Sequence, residues 1–169
     1  MSAPSDEDLR VASRQLGRPA RGVRAVAARC VCGAPAVLVT HPRLPDGTPF
    51  PTLYYLSLPA AVAAMSTLEA TGAMAEFAAV LDADPAMREH YAAAHESYLA
   101  DRSAIEQVSE IEGISAGGMP SRVKCLHALA AHALAAGPGV NPIGDLALQA
   151  ADWSITECQC ERYDAEPLP

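Results

Sequence analysis

The pattern of apolar and polar positions divides the chain near residue 58. Before that point, runs of apolar and β-branched residues alternate with glycine and proline turns, which favours strands. Both faces of the third run, TLYYLS, are apolar, so we expect it to be a central strand covered on both sides. Three strands are predicted, at about 22–31, 36–40 and 52–57, with the first two forming a hairpin.

Beyond residue 58 the pattern is helical, and start and stop signals set the predicted bounds. Ser5 is a candidate N-cap of one earlier helix, which Gly17 ends. Prolines 59, 85 and 120 suit first helical turns. The predicted helices cover about 5–16, 59–70, 73–82, 84–112, 120–136 and a short segment ending near Asp152.

These elements predict an α+β fold. A small antiparallel sheet, about residues 22–58, packs against a helical layer, about residues 59–152, with the N-terminal helix at one edge. A chain of 169 residues is long enough for one domain with its own core. We therefore expect a single domain over 1–169, with residues 1–4 and 161–169 frayed.

Charge is distributed unevenly along the chain. The net charge is −8, with a balance of +3 over residues 1–60 and −11 over residues 61–169. The whole chain should repel nucleic acid, so a nucleic-acid partner is not expected. A local cluster of arginines suits RNA, an acidic partner or the acidic half of the chain, but a solvated face with internal ion pairs is the simpler interpretation. Its members are Arg10, Arg14, Arg18, Arg21, Arg24 and Arg29.

The chain resembles neither a membrane protein nor a secreted one. It contains no apolar run of about 20 residues, the length of a membrane helix. The first ten residues, MSAPSDEDLR, are acidic, whereas a signal peptide begins with a basic segment. We therefore expect a cytoplasmic protein without a membrane partner, whose cysteines stay reduced.

Four of the five cysteines form two Cys-x-Cys pairs, and this pattern suggests a metal site. The first pair lies where a strand enters a glycine turn. Thiolates select zinc or an iron–sulfur cluster, and these are the expected cofactors. The alternative is that the cysteines are small buried apolar residues. The candidate ligands are Cys30, Cys32, Cys125, Cys158 and Cys160, with His127 or His132 as a nitrogen ligand.

Cys125 also has a catalytic interpretation. In the first turns of a helix, beside Lys124 and His127, its thiol would be a candidate nucleophile. On a regular helix, however, positions 125 and 127 project about 200° apart. The helical pattern therefore predicts that Cys125 and His127 do not form a catalytic pair.

A glycine-rich segment precedes the same predicted helix. Gly117 and Gly118, followed by Arg122 and Lys124, would place backbone amides and two cations around a phosphate or carboxylate. Arg43, in the proline-rich segment 41–51, is a further candidate. The alternative is a tight turn between helices that needs glycine at positive φ.

Three strings in the sequence resemble a known bacterial family. They are RQLGRPARGV (14–23), HPRLPDGTPFPTLYYL (41–56) and GGMPSRVKCLHALAAHALAAGPGVNPIGD (117–145), and they resemble the mainly actinobacterial domain of unknown function 501. The resemblance carries over Cys30, Cys125 and His127 but implies no activity. Where the family pattern has Thr-Cys-Pro, this chain has Ser57, Leu58 and Pro59. If that cysteine is a ligand in the family, either Cys32 or the C-terminal pair replaces it here, or the metal hypothesis fails.

Three functions remain open on this basis. The first is a non-catalytic metal-binding protein that acts through a protein partner. The second is an enzyme acting on a small anionic substrate at Cys125, His127, Lys124 and Arg122. The third is an RNA- or partner-binding module that uses the arginines at 10–29. The sequence does not decide whether the protein is an enzyme.

Overall fold

Three antiparallel strands form the sheet, in the order β1-β2-β3. They are β1 (Val23–Arg29), β2 (Pro35–Thr40) and β3 (Tyr54–Leu56) in a computed structural model that describes residues 1–160. The predicted β1–β2 hairpin is confirmed. The prediction that β3 is central is wrong, because β2 lies between the other two strands. All six residues of β2 are buried, as expected of a central strand.

Six α-helices and one short 3-10 turn, Ser109–Ile111, complete the described part of the chain. The first helix confirms its sequence signals, since the Ser5 side chain caps it in a reciprocal pair with Asp8, and Gly17 ends it with φ of 64°. The helices are α1 (Asp6–Leu16), α2 (Pro59–Ala70), α3 (Ala73–Ala83), α4 (Pro85–Ser103), α5 (Leu126–Ala136) and α6 (Pro142–Ala150).

Helix α4 ends at Ser103, nine residues before the predicted boundary at 112. The hydrogen bonds of the Arg102 side chain explain why the chain leaves the helical path after Ser103. Arg102 is 4% exposed, and its guanidinium donates to the carbonyls of Pro51, Ile111 and Ile114, so that the chain after α4 folds back over it. This path buries Ile111, which a continued helix would have carried away from Arg102.

Helix α5 begins at Leu126, six residues after the predicted start at Pro120. A hydrogen-bonded loop replaces the first predicted turns, because the amides of Arg122 and Lys124 donate to the carbonyls of Gly118 and Gly117. Gly118 has φ of 96°, and a Cβ built there would lie 2.5 Å from the Arg122 carbonyl oxygen. Only glycine fits this position.

A single apolar cluster joins the sheet to the helical layer, which confirms the α+β class. It contains Val37 of β2, Tyr54 of β3, Tyr91 of α4, Leu129 of α5 and residues of every helix from α2 to α6. A smaller cluster lies on the opposite face of the sheet, beneath α1. The expectation of a single cooperative domain stays a prediction.

Two further expectations concern the ends of the chain and the membrane. Ser2 exchanges two backbone hydrogen bonds with Val26, while residues 161–169 lie outside the described part, so fraying of the ends stays a prediction. Among residues 1–160, every helix is either too short or too polar to cross a bilayer.

Candidate metal centre

Four cysteines from opposite ends of the chain converge on one place. The sulfur atoms of Cys30, Cys32, Cys158 and Cys160 all lie within 4.8 Å of one another. The Cys32 and Cys160 sulfurs are 3.6 Å apart, and the Cys30 and Cys160 sulfurs are 3.8 Å apart. We refer to these four residues as the thiol cluster. Thiol groups brought together in this number are suited to binding a soft metal ion.

The turn between β1 and β2 supplies the first pair. The Cys30 amide donates to the Ala34 carbonyl over 2.9 Å, and the Gly33 amide donates to the Cys30 carbonyl over 2.7 Å. Gly33 takes φ of 91°, which closes the turn. The backbone amides of Cys32 and Ala34 act to lower the pKa of the Cys30 and Cys32 thiols, respectively. Both thiols therefore sit beside backbone dipoles that favour the thiolate form.

The segment after α6 supplies the second pair. Trp153 is 6% exposed and its amide donates to the Leu148 carbonyl, which anchors the chain as it leaves the helix. The Val31 amide, in the β1–β2 turn, then donates to the Ile155 carbonyl over 3.0 Å. This bond between the two segments brings Cys158 and Cys160 back to the first pair.

Electrostatics within the thiol cluster favour a bound cation. Burial raises the pKa of Cys30 and Cys160 above the ordinary thiol range, and the neighbouring thiols raise the pKa of Cys160 further. The Ala34 amide instead lowers the pKa of Cys32. Several thiolates so close together repel one another unless a positive charge lies between them.

The structure separates the other predicted ligands from this cluster. Cys125 and His127 belong to a second group, described below. His132 is fully buried in the core, stacked on Tyr54 with 5.5 Å between ring centroids, and its Nδ1 lies 3.1 Å from the Asn141 amide nitrogen. It therefore serves as a core residue rather than as a spare ligand.

The second group consists of Glu69, Cys125 and His127, whose side-chain ligand atoms also lie within 4.8 Å of one another. Cys125 is the N-cap of α5, with extended backbone angles, and His127 is the second residue of that helix. The prediction that positions 125 and 127 point apart is wrong, because Cys125 lies outside the helix. Glu69, in the last turn of α2, was missed because no local sequence signal marks it.

The predicted anion site required a helix that begins directly after Gly118, whereas α5 begins at Leu126. Gly117 and Gly118 precede a loop, and the exposed Arg122 and Lys124 precede α5. Arg43 instead pairs with Glu110, at 2.9 Å. The positive φ values of both glycines agree with the tight turn weighed as the alternative. An anion site here stays a prediction.

Within residues 1–160, two of the six clustered arginines form ion pairs. Arg29 contacts Asp8 at 2.6 Å and Arg10 contacts Glu7. Hydrogen bonds from Arg29 hold the pKa of the buried Asp8 carboxyl well below its usual range. These pairs agree with a solvated face that carries internal ion pairs.

The fold and the thiol cluster define a small α+β protein with a candidate metal centre. The chain belongs to a family described as a protein of unknown function, domain of unknown function 501, whose model matches residues 26–149. The match includes Cys30, Cys32, Cys125 and His127, whereas Cys158 and Cys160 lie beyond it. No curated protein and no solved structure matches the chain.

Proposed function

We propose that the protein binds one zinc ion through Cys30, Cys32, Cys158 and Cys160. The convergence of these four sulfurs within 4.8 Å is the observation that carries the proposal. Zinc held by four thiolates is a common structural arrangement in proteins. Free thiols persist in a reducing compartment, so the proposal includes a cytoplasmic location.

The spacing of the sulfurs favours a single ion over an iron–sulfur cluster. Zinc–sulfur bonds of about 2.3 Å in a regular tetrahedron place the sulfurs about 3.8 Å apart. Two of the separations here, 3.6 and 3.8 Å, match that edge length. The four cysteines of an iron–sulfur cluster are divided among two or four iron atoms, so thiolates on different irons lie farther apart than thiolates on a single ion.

A site with four protein thiolates has no open position for a substrate, so we assign this centre a structural role. It would join the β1–β2 turn to the segment that follows α6. The binding energy of the metal would then contribute to folding of the C-terminal end. We propose that the protein acts through a partner, either another protein or a small anionic ligand.

Metal analysis of protein purified under reducing conditions tests this function. We expect one zinc per chain in the native protein, and a large loss of zinc in Cys32→Ser and Cys158→Ser, with a lower melting temperature in both. Cys125→Ser is the matched control, since Cys125 lies outside the thiol cluster, and it should retain zinc. Metal-free protein that is indifferent to chelator would contradict the proposal.

A further inference from the structure

A cavity of about 540 Å³ lies on the face of the sheet that α1 covers, away from the main core. Side chains of all three strands line it, and the end of α1 and the proline-rich segment 41–51 supply the remaining walls. A volume of this order holds a small organic ligand. The apolar lining side chains are Leu16, Val23, Leu38, Leu44, Phe50 and Tyr55.

Backbone hydrogen bonds hold the wall segments of this cavity in place. The His41 amide donates to the Gly22 carbonyl over 2.8 Å, and the Phe50 amide donates to the Pro42 carbonyl over 2.7 Å. Gly22 has φ of 65°, and a Cβ built there would lie 2.9 Å from a methyl carbon of Leu44. Glycine therefore lets the segment before β1 approach Leu44 closely. A cavity with a preformed shape binds a ligand at a lower entropic cost.

The charged residues of the cavity favour an anion. Arg18 and Arg21 line it and are exposed, and neither forms an ion pair with any residue from 1 to 160. Asp46 is the acidic lining residue, and its carboxylate accepts a hydrogen bond from the Thr48 amide over 2.9 Å. The lining residues thus carry a net charge of +1, on a chain whose net charge is −8. This balance suits a ligand with a single negative charge.

A second cavity, of about 450 Å³ and lined by Cys125 and His127, is less suited to an anion. The His127 ring is already held on both sides. Its Nδ1 lies 3.1 Å from a Glu69 carboxylate oxygen, and its Nε2 lies 3.2 Å from the Val62 carbonyl oxygen and 3.1 Å from the Ser66 hydroxyl. The charge of His127 is therefore engaged by Glu69, whereas Arg18 and Arg21 in the first cavity have no such partner in the described part of the chain.

We propose that the first cavity binds a small amphipathic monoanion, a carboxylate with an aliphatic chain. The chain lies against the apolar walls, and the carboxylate pairs with Arg18 and Arg21, which face solvent. A guanidinium group binds a carboxylate through two parallel hydrogen bonds, which fixes the orientation of the ligand. The inference rests on the small anionic ligand of the proposed function and names its chemical class, and it does not depend on zinc.

Titration of the full-length, ¹⁵N-labelled protein with decanoate, followed by amide NMR, tests this site. Concentrations that keep decanoate monomeric exclude an effect of micelles. We expect saturable shifts at amides around the cavity, such as those of Val23, Leu44 and Phe50. 1-Decanol has the same chain without the charge, and its affinity should be at least about 5-fold weaker.

Three variants show whether the charges act as proposed. Arg18→Gln should weaken decanoate binding by about 5-fold or more and leave 1-decanol binding unchanged. Asp46→Asn should strengthen decanoate binding, because it removes the negative charge beside the carboxylate. Arg24→Gln is the matched control, since Arg24 is exposed, belongs to the same arginine cluster and does not line the cavity. Its affinity for decanoate should equal that of the native protein.

Three outcomes would overturn the proposal. The first is a titration without saturable shifts. The second is equal affinity for decanoate and 1-decanol, a comparison that needs no variant and so holds even if a substitution prevents folding. The third is a set of shifts confined to the second cavity, at amides such as those of Val62 and Ala128. Zinc content measured on the same samples separates this test from that of the metal centre, which lies at the other end of the β1–β2 hairpin.

Discussion

His132 is a fully buried titratable side chain of the core, and its environment favours the neutral ring. It is fully buried, stacks on Tyr54 and accepts a hydrogen bond from Asn141 at Nδ1, while its Nε2 has no partner among the described residues. Burial lowers the pKa of His132 to about 4, from 6.5 when unfolded. Folding therefore opposes protonation of this ring.

This difference predicts a loss of stability on mild acidification. Between pH 6.5 and 4 the unfolded chain binds a proton at His132 and the native protein does not, so the free energy of unfolding falls by up to about 3 kcal/mol. His127 affects stability at higher pH, because hydrogen bonds to Cys125 and Glu69 raise its pKa to about 9. Its contribution to the free energy of unfolding is complete below pH 6.5 and is lost as the pH rises through 9. Urea unfolding at a series of pH values measures how steeply the free energy of unfolding changes between pH 4 and 6.5. His132→Leu should flatten this dependence on pH, and an unchanged slope in that variant would contradict the assignment.

The glycine pair before α5 shows how one residue sets an element boundary. Gly118 approaches the Arg122 carbonyl so closely that a methyl group cannot fit, whereas a Cβ at Gly113 would meet no atom within 4 Å. Gly113 and Gly118 both have positive φ. The two positions therefore share the conformational strain of a substitution and differ in the space around it.

We expect Gly118→Ala to lower the free energy of unfolding by at least about 2 kcal/mol more than Gly113→Ala does. Denaturant unfolding of both variants measures the difference, and Gly113→Ala corrects for the effect of positive φ. Equal destabilisation would mean that the loop can relax and that the close approach does not fix the start of α5.

Most element positions, though not all boundaries, could be predicted from local sequence. Ser5 and Gly17 bracket α1, and Pro59 begins α2 as expected. The apolar spacing that predicted an extended α4 continues past Ser103, but the hydrogen bonds of Arg102 to distant carbonyls end the helix. The contact with Pro51, far away in the sequence, leaves no local signal. The late start of α5 has a local cause instead, since the amides of Arg122 and Lys124 donate to the carbonyls of Gly118 and Gly117.

The sheet and the helices depend on each other at the scale of the whole molecule. Leu56 of β3 is 5% exposed within the cluster that includes residues of α2 to α6. We expect Leu56→Ala to lower the free energy of unfolding by about 2–5 kcal/mol, as for other large-to-small changes in a core. Ile114→Ala, at a position 53% exposed, is the control and should change it by about 0.5 kcal/mol or less. A small effect of Leu56→Ala, measured in the same denaturant titration, would contradict the shared core.

The same dependence predicts that the fragment 1–58 does not fold. It would contain α1 and the three strands, with the apolar face of the sheet exposed to water and too small a core. The fragment's amide NMR spectrum should therefore be poorly dispersed. A well-dispersed spectrum would show that the β part is a separate domain.

The thiol cluster illustrates which part of a site local sequence can indicate. The first Cys-x-Cys pair was predicted beside a glycine turn, and the structure places it there. The bond between Val31 and Ile155, which returns the second pair to that turn, joins residues far apart in sequence and had no local signal. Glu69 was missed for the same reason, because tertiary packing alone brings it to Cys125 and His127.

X-ray absorption at the zinc edge of the protein, purified under reducing conditions, tests the central claim most directly. Zinc bound by Cys30, Cys32, Cys158 and Cys160 should give a single shell of four sulfur atoms at about 2.3 Å. A shell containing nitrogen or oxygen ligands, at about 2.0–2.2 Å, or a sample without zinc, would contradict a closed four-thiolate centre.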